Sequence, residues 1–120
     1  MSVLGELQPN KVFKYFEEIC SIPHGSRNLQ QISDYLVDFA KAHELKYRQD
    51  EDLNVIIWKD GSKGYEASEP VILQGHMDMV AVKEADCDKD MEKEGLDLEI
   101  NGDYISAKGT SLGGDDGIAV

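Results

Sequence analysis

Pro70-Val71-Ile72-Leu73 is an apolar run that stops at Gly75 and is followed at once by a histidine and a carboxylate two residues apart, His76 and Asp78. No other stretch of the chain constrains the fold as tightly. Apolar residues without alternation read as a strand buried on both faces, and such a strand belongs in a sheet covered by helices. If it continues past Gly75, side chains two apart point the same way, so His76 and Asp78 share one face at its end. An imidazole beside a carboxylate there fits a metal ligand with the group that orients it. It also fits a plainer role, a histidine satisfied by one hydrogen bond.

The rest of the chain supplies the cover. Pro9 suits the first turn of a helix, and Val12, Phe13, Phe16, Ile19 and Cys20 recur at helical spacing to about Ser21, with Pro23 closing the segment. Pro23-His24-Gly25-Ser26 reads as a loop, with Ser26 as the N-cap of a second helix and His24 as a loop residue rather than a ligand. Leu29, Ile32, Leu36, Phe39, Ala40 and His43 form one stripe at three- and four-residue steps. Leu45 to Arg48 then predicts a short edge strand, and Asn54-Val55-Ile56-Ile57-Trp58 a strand buried on both faces. Gly61-Ser62-Lys63-Gly64 is a turn.

From Lys83 to Glu94 the chain is charged and aperiodic, as in a solvated loop. Asp86, Asp88 and Asp90 alternate as in an EF-hand, but Met91 stands where that loop needs glycine and Asp97 where it needs glutamate, so the motif is rejected. Leu96, Leu98 and Ile100 alternate before Asn101-Gly102, a hairpin signal that pairs Ile100 with Asp103 and Leu98 with Ile105. After Gly113-Gly114-Asp115-Asp116-Gly117 the residues Ile118-Ala119-Val120 predict the start of a buried helix without a stop signal, so the chain reads as the front of a longer polypeptide. The expected class is α/β: two amphipathic helices on a β-sheet with a hairpin, ending at the start of a third helix.

Charge narrows the partners. Lys and Arg number 12 against 24 Asp and Glu, a net charge of −12. That field repels a phosphate backbone and an anionic membrane, so no nucleic acid and no membrane partner is expected. Residues 1–9 lack the basic and apolar regions of a signal peptide. Two cysteines, Cys20 on a helix face and Cys87 in an acidic loop, make no disulfide framework. A cytoplasmic location is the expectation.

The glycine-rich segment around Asp115 is no phosphate cradle, because two adjacent aspartates replace the lysine such a loop requires. Ser111 has no nucleophile-elbow motif around it. Small residues beside carboxylates do let oxygens approach a cation closely. His76, Asp78 and Asp115 together match the imidazole and carboxylate preferences of zinc, while ordinary loop aspartates remain the alternative.

Gly75-His76-Met77-Asp78-Met79-Val80 and, 39 positions on from His76, Asp115 within Gly114-Asp115-Asp116-Gly117 resemble the two motifs of the M20 family of zinc metallopeptidases. Lys108-Gly109-Thr110 and Ile22-Pro23-His24-Gly25-Ser26 also fit, and the aminoacyl-histidine dipeptidase branch (Xaa-His, carnosinase-like) is the most similar. That branch has Gly-Ala-Asp-Asn-Gly in the second motif, from which Gly114 and Asp116 depart. The resemblance covers residues 1–120 as an incomplete N-terminal part of a zinc peptidase catalytic domain, without the lid or dimerisation domain. It implies His76 and Asp115 as metal ligands, Asp115 bridging two zinc ions and joined to Asp116 by a cis peptide, and Asp78 as the catalytic residue behind the imidazole. It implies a dipeptide substrate, hydrolysis by zinc-activated water and a homodimer in the complete protein. The glutamate base and remaining ligands would lie past residue 120, leaving this chain alone inactive. Other M20 activities (tripeptidase, carboxypeptidase, N-acyl amino acid deacylase) use the same metal chemistry, and a non-enzymatic α/β binding domain is the alternative of another class.

Overall fold

The computed structural model describes residues 2–120, in the order α1 (Asn10–Cys20), α2 (Gln30–Ala42), β1 (Lys46–Gln49), β2 (Val55–Trp58), β3 (Leu98–Asn101), β4 (Tyr104–Ala107) and α3 (Gly114–Gly117). The chain divides into two units, one formed by the residues up to Ile32 with Gly75–Val120, the other by Ser33–Gln74.

The first unit holds a core of Leu4, Phe16, Cys20, Leu98 and Ala107, edged by Leu7, Phe13, Leu96, Ile105 and Leu112. Helix α1 supplies Phe16, Ile19 and Cys20 as its buried face, whereas Val12 stays exposed. The helix stops at Ser21, whose amide donates to the carbonyls of Glu17 and Glu18. Burying a side chain such as Leu4 or Phe16 stabilises by about 1.5–3 kcal/mol. The N-terminal segment that carries Leu4 is held by Glu17, which accepts from Ser2 Oγ at 2.7 Å and from the amides of Val3 and Leu4.

The β3–β4 hairpin is antiparallel, with Ile100 opposite Ile105 and Leu98 opposite Ala107. The turn residues are Gly102 and Asp103, not Asn101 and Gly102, and Gly102 takes φ +61°. The register therefore differs by two residues from the one the Asn-Gly signal predicts. A two-residue shift keeps every side chain on its face, and it sets apolar residues opposite apolar ones instead of Ile100 opposite a carboxylate.

The charged loop after Lys83 is folded rather than simply solvated. Lys89 Nζ donates to the Gly95 carbonyl at 2.7 Å and pairs with Asp97 at 3.0 Å, with its side chain only 9% exposed. Asp90 accepts from the amides of Glu92, Lys93 and Glu94 through its side-chain and carbonyl oxygens. The sequence does not show this because the pairing depends on no period.

In the second unit β1 and β2 pair antiparallel, Tyr47 opposite Ile57 and Arg48 opposite Ile56. Along β2 half-buried Val55 and Ile57 alternate with exposed Ile56 and Trp58, so this strand is not buried on both faces. It belongs to a two-stranded ribbon, which leaves one face open. Ser33 of α2 is buried, donating to the Leu53 carbonyl at 2.7 Å and accepting from Gln49 Nε2 at 2.7 Å.

Pro70 to Gly75 is extended coil, not a buried strand. Val71, Ile72 and Leu73 are 82%, 88% and 92% exposed. A strand exists only where a neighbour takes its backbone hydrogen bonds, and no described segment does so for residues 70–74. The end of the chain shows the same feature. Helix α3 is four residues long with a non-helical Asp115 inside, and Ile118 and Val120 are exposed rather than buried.

Candidate metal centre

Two segments far apart in sequence run side by side in the first unit and carry the site. Lys83 and Thr110 form an antiparallel bridge, and the Ser111 amide donates to the Val82 carbonyl at 3.0 Å. Ser111 Oγ donates to the Val80 carbonyl at 2.6 Å and accepts from the Val82 amide at 3.1 Å. This serine is thus a tie between the two motifs. Two residues on, Gly113 adopts φ +76° with Met79 against it; a Cβ there would lie 2.8 Å from the Met79 sulfur. Only glycine tolerates both the backbone and the close approach.

The chain then delivers Asp115 to His76. Imidazole Nε2 stands 3.0 Å from Asp115 Oδ1. On the other side of the ring, Nδ1 stands 3.0 Å from the Asp78 carbonyl and 3.1 Å from Asp78 Oδ1. His76 and Asp78 meet on one side of the chain, as residues two apart were expected to, although no strand runs through them. All three expected residues are therefore brought together. They remain open to solvent, with side chains 49%, 36% and 96% exposed for His76, Asp78 and Asp115.

The hydrogen bonds assign the ring. Both partners of Nδ1 are oxygen acceptors, so Nδ1 carries a hydrogen. The lone pair of the neutral ring is then on Nε2, facing a carboxylate oxygen at 3.0 Å. Two acceptors that close repel unless a proton or a cation lies between them. The Asp115 carboxylate, then the Asp78 carbonyl, raise the pKa of His76 above its ordinary value, which favours a proton between the two. On the same grounds Nε2 and Asp115 Oδ1 form a nitrogen–oxygen donor pair suited to a divalent transition metal. Asp78 lies on the far side of the ring, and among the described residues no three histidine, cysteine or acidic side chains converge to hold a cation.

Two further groups complete the arrangement. Asp116 Oδ2 accepts from the His76 amide at 3.1 Å, and the Asp115–Asp116 peptide is cis, as the resemblance implies. Ser26 Oγ donates to Asp78 Oδ2 at 2.6 Å and, foremost among several causes, holds that carboxyl below the usual carboxylate range. Ser26 is therefore no N-cap: α2 starts four residues later, at Gln30. Its role escapes sequence reasoning because it reaches across 52 positions; the only signal is its place in the Ile22–Ser26 segment. His24 is buried, with Nδ1 on the Ile22 carbonyl at 2.6 Å, and takes no place at the site through its ring.

No family profile matches the chain. Individual proteins do. The cytosol non-specific dipeptidase of Escherichia coli (strain K12) is 38% identical over 120 residues, which is all of this chain and 25% of that protein. The crystal structure of aminoacylhistidine dipeptidase from Vibrio alginolyticus superposes with a TM-score of 0.93 at 37% identity, over 98% of this chain and 24% of that one. The chain spans about a quarter of the length of the relatives it matches. The resemblance seen in two motifs is thus borne out across the chain, and the α/β architecture matches the corresponding part of the aminoacylhistidine dipeptidase structure.

Proposed function

We propose that this chain is part of the catalytic domain of an M20 dipeptidase and that His76 and Asp115 bind zinc there. The observation that carries the reading is the pair of acceptors, His76 Nε2 and Asp115 Oδ1, held 3.0 Å apart while Asp78 occupies the other ring nitrogen. Zinc at such a site supplies a hydroxide at neutral pH and polarises a peptide carbonyl. The chain's own residues prepare the place. Asp78 holds the Nδ1 hydrogen, which keeps the Nε2 lone pair directed at Asp115 and makes the ring a better donor. Asp116 fixes the backbone of His76 through its amide. Asp115 supplies an exposed carboxylate with a second oxygen left to share, which suits a bridge between two ions.

Two residues cannot complete a zinc site, which ordinarily takes three protein ligands and a water. The remaining ligands and the general base are assigned to other parts of the complete protein, and the isolated chain is inactive and binds zinc weakly. The substrate class proposed is a dipeptide, Xaa-His or broader, in the cytoplasm and with a homodimer as the assembly. The test is zinc titration and dipeptide hydrolysis by the full-length protein. His76→Ala and Asp115→Ala are each expected to reduce turnover by at least a hundredfold and to weaken zinc uptake. Unchanged uptake in both variants overturns the metal assignment; intact uptake-dependent chemistry on acylated amino acids but not dipeptides would move the protein to another M20 activity.

A further inference from the structure

Ser26 is pinned to the site by its backbone before its side chain acts. Gly25 and Met79 form a parallel bridge; the Met79 amide donates to the His24 carbonyl at 3.0 Å and the Ser26 amide to the Met79 carbonyl at 3.0 Å. A Cβ on Gly25 would come within 2.8 Å of the Ala81 Cβ, so this approach depends on glycine. The hydroxyl then has two acceptors in reach, Asp78 Oδ2 at 2.6 Å and the Met79 carbonyl at 3.4 Å, and its single hydrogen goes to the nearer. Asp78 is held at both ends: Oδ2 by Ser26 and Oδ1 by the His76 ring. A carboxylate gripped by one oxygen alone can swing about its Cβ–Cγ bond, and at 36% exposure water competes for it. The second grip removes that freedom and fixes the plane in which Oδ1 meets the imidazole.

We propose that Ser26 is a positioning residue for the metal site, acting through Asp78 to hold the His76 ring with Nε2 aimed at Asp115. The proposal rests on the reading of His76 and Asp115 as zinc ligands. Loss of a group one step behind a ligand typically costs 10–100-fold in metal affinity. The hydroxyl is two steps behind, so the lower end, about tenfold, is the expected effect.

The experiment is competitive zinc titration against a chromophoric chelator, using the full-length protein. Ser26→Ala should weaken zinc about tenfold and Ser26→Thr, which keeps the hydroxyl, should bind as the unaltered protein. In an Asp78→Ala background Ser26→Ala should have no further effect, because its route to the ring is gone. In nitrogen NMR of the metal-free protein, Ser26→Ala should broaden or shift the His76 ring resonances. Undiminished zinc binding by Ser26→Ala, with loss in His76→Ala and Asp115→Ala, overturns the positioning role and leaves the metal site standing. Undiminished binding in those two variants overturns the metal site itself. If Ser26→Ala does not fold, Ser26→Cys, similar in size but a weak donor, must show the loss; zinc binding by it equal to the unaltered protein overturns the proposal.

Discussion

Gly75 and Asp116 are in direct apposition: the Asp116 carboxylate lies where a side chain on Gly75 would be. A Cβ at position 75 would stand 2.9 Å from Asp116 Oδ2 and 3.4 Å from Val120 Cγ2. The same Oδ2 accepts from the His76 amide. The glycine between the apolar run and the histidine is therefore required by the second motif, 40 positions from His76.

Gly75→Ala should accordingly act on the site more than on the fold. The methyl must push Asp116 off the His76 amide, costing on the order of 1 kcal/mol in stability, as for one hydrogen bond. Zinc affinity of the full-length protein should fall more than the thermal midpoint suggests. Thermal melts beside zinc titrations check this; equal binding by the alanine variant would count against the apposition.

The pH dependence of His76 has a definite sign. Its folded pKa is raised, first by Asp115 and then by the Asp78 carbonyl. The stabilisation it contributes is fully present below the unfolded value, about 6.5, and is lost as pH rises through the folded value. A proton on Nε2 also competes with metal, so zinc affinity should climb with pH across the same window. Proton NMR of the His76 ring should give a midpoint above that of a free histidine, and Asp115→Asn should bring it down.

The two thiols should differ in reactivity. Burial, and secondarily the Glu17 charge, push the Cys20 thiol up to about 12. Cys20 is 1% exposed, whereas Cys87 is partly accessible. At pH near 8 a thiol reagent should modify Cys87 in the folded chain and reach Cys20 only on unfolding. Mass spectrometry of timed aliquots reads the order directly.

The exposed run at Val71-Ile72-Leu73 should make the isolated chain self-associate, since an unpaired apolar strand-former is a template for another copy. Ile72→Lys should reduce association while changing stability by no more than about 0.5 kcal/mol. Sedimentation velocity across a concentration series checks both halves of the expectation when paired with a melt.

What could be read from residues alone follows the range of each interaction. Helices α1 and α2 were legible because a helix buries one stripe at a fixed local period. The β3–β4 hairpin was legible for the same reason, though its turn was set one residue off by an Asn-Gly signal that cross-strand pairing overrides. Residues 54–58 and 70–75 share an apolar composition that implies two-sided burial. Composition does not supply the neighbours that burial requires: the structure leaves residues 54–58 half-open and Val71 to Leu73 exposed.

The site divides in the same way. That His76, Asp78 and Asp115 come together could be expected because their chemical types stand in two short, dense motifs. Sequence by itself determined the helices, the kinship with dipeptidases and which imidazole and carboxylates stand in the two motifs, all of which depend on local pattern. The tertiary structure alone decided that Nε2 faces Asp115, that Ser26 grips Asp78 and that Asp116 fills the space over Gly75. Those contacts join residues 39 to 52 positions apart. They have no period, because they arise from backbone bridges at Gly25, Met79, Lys83 and Thr110 that bring separate segments together.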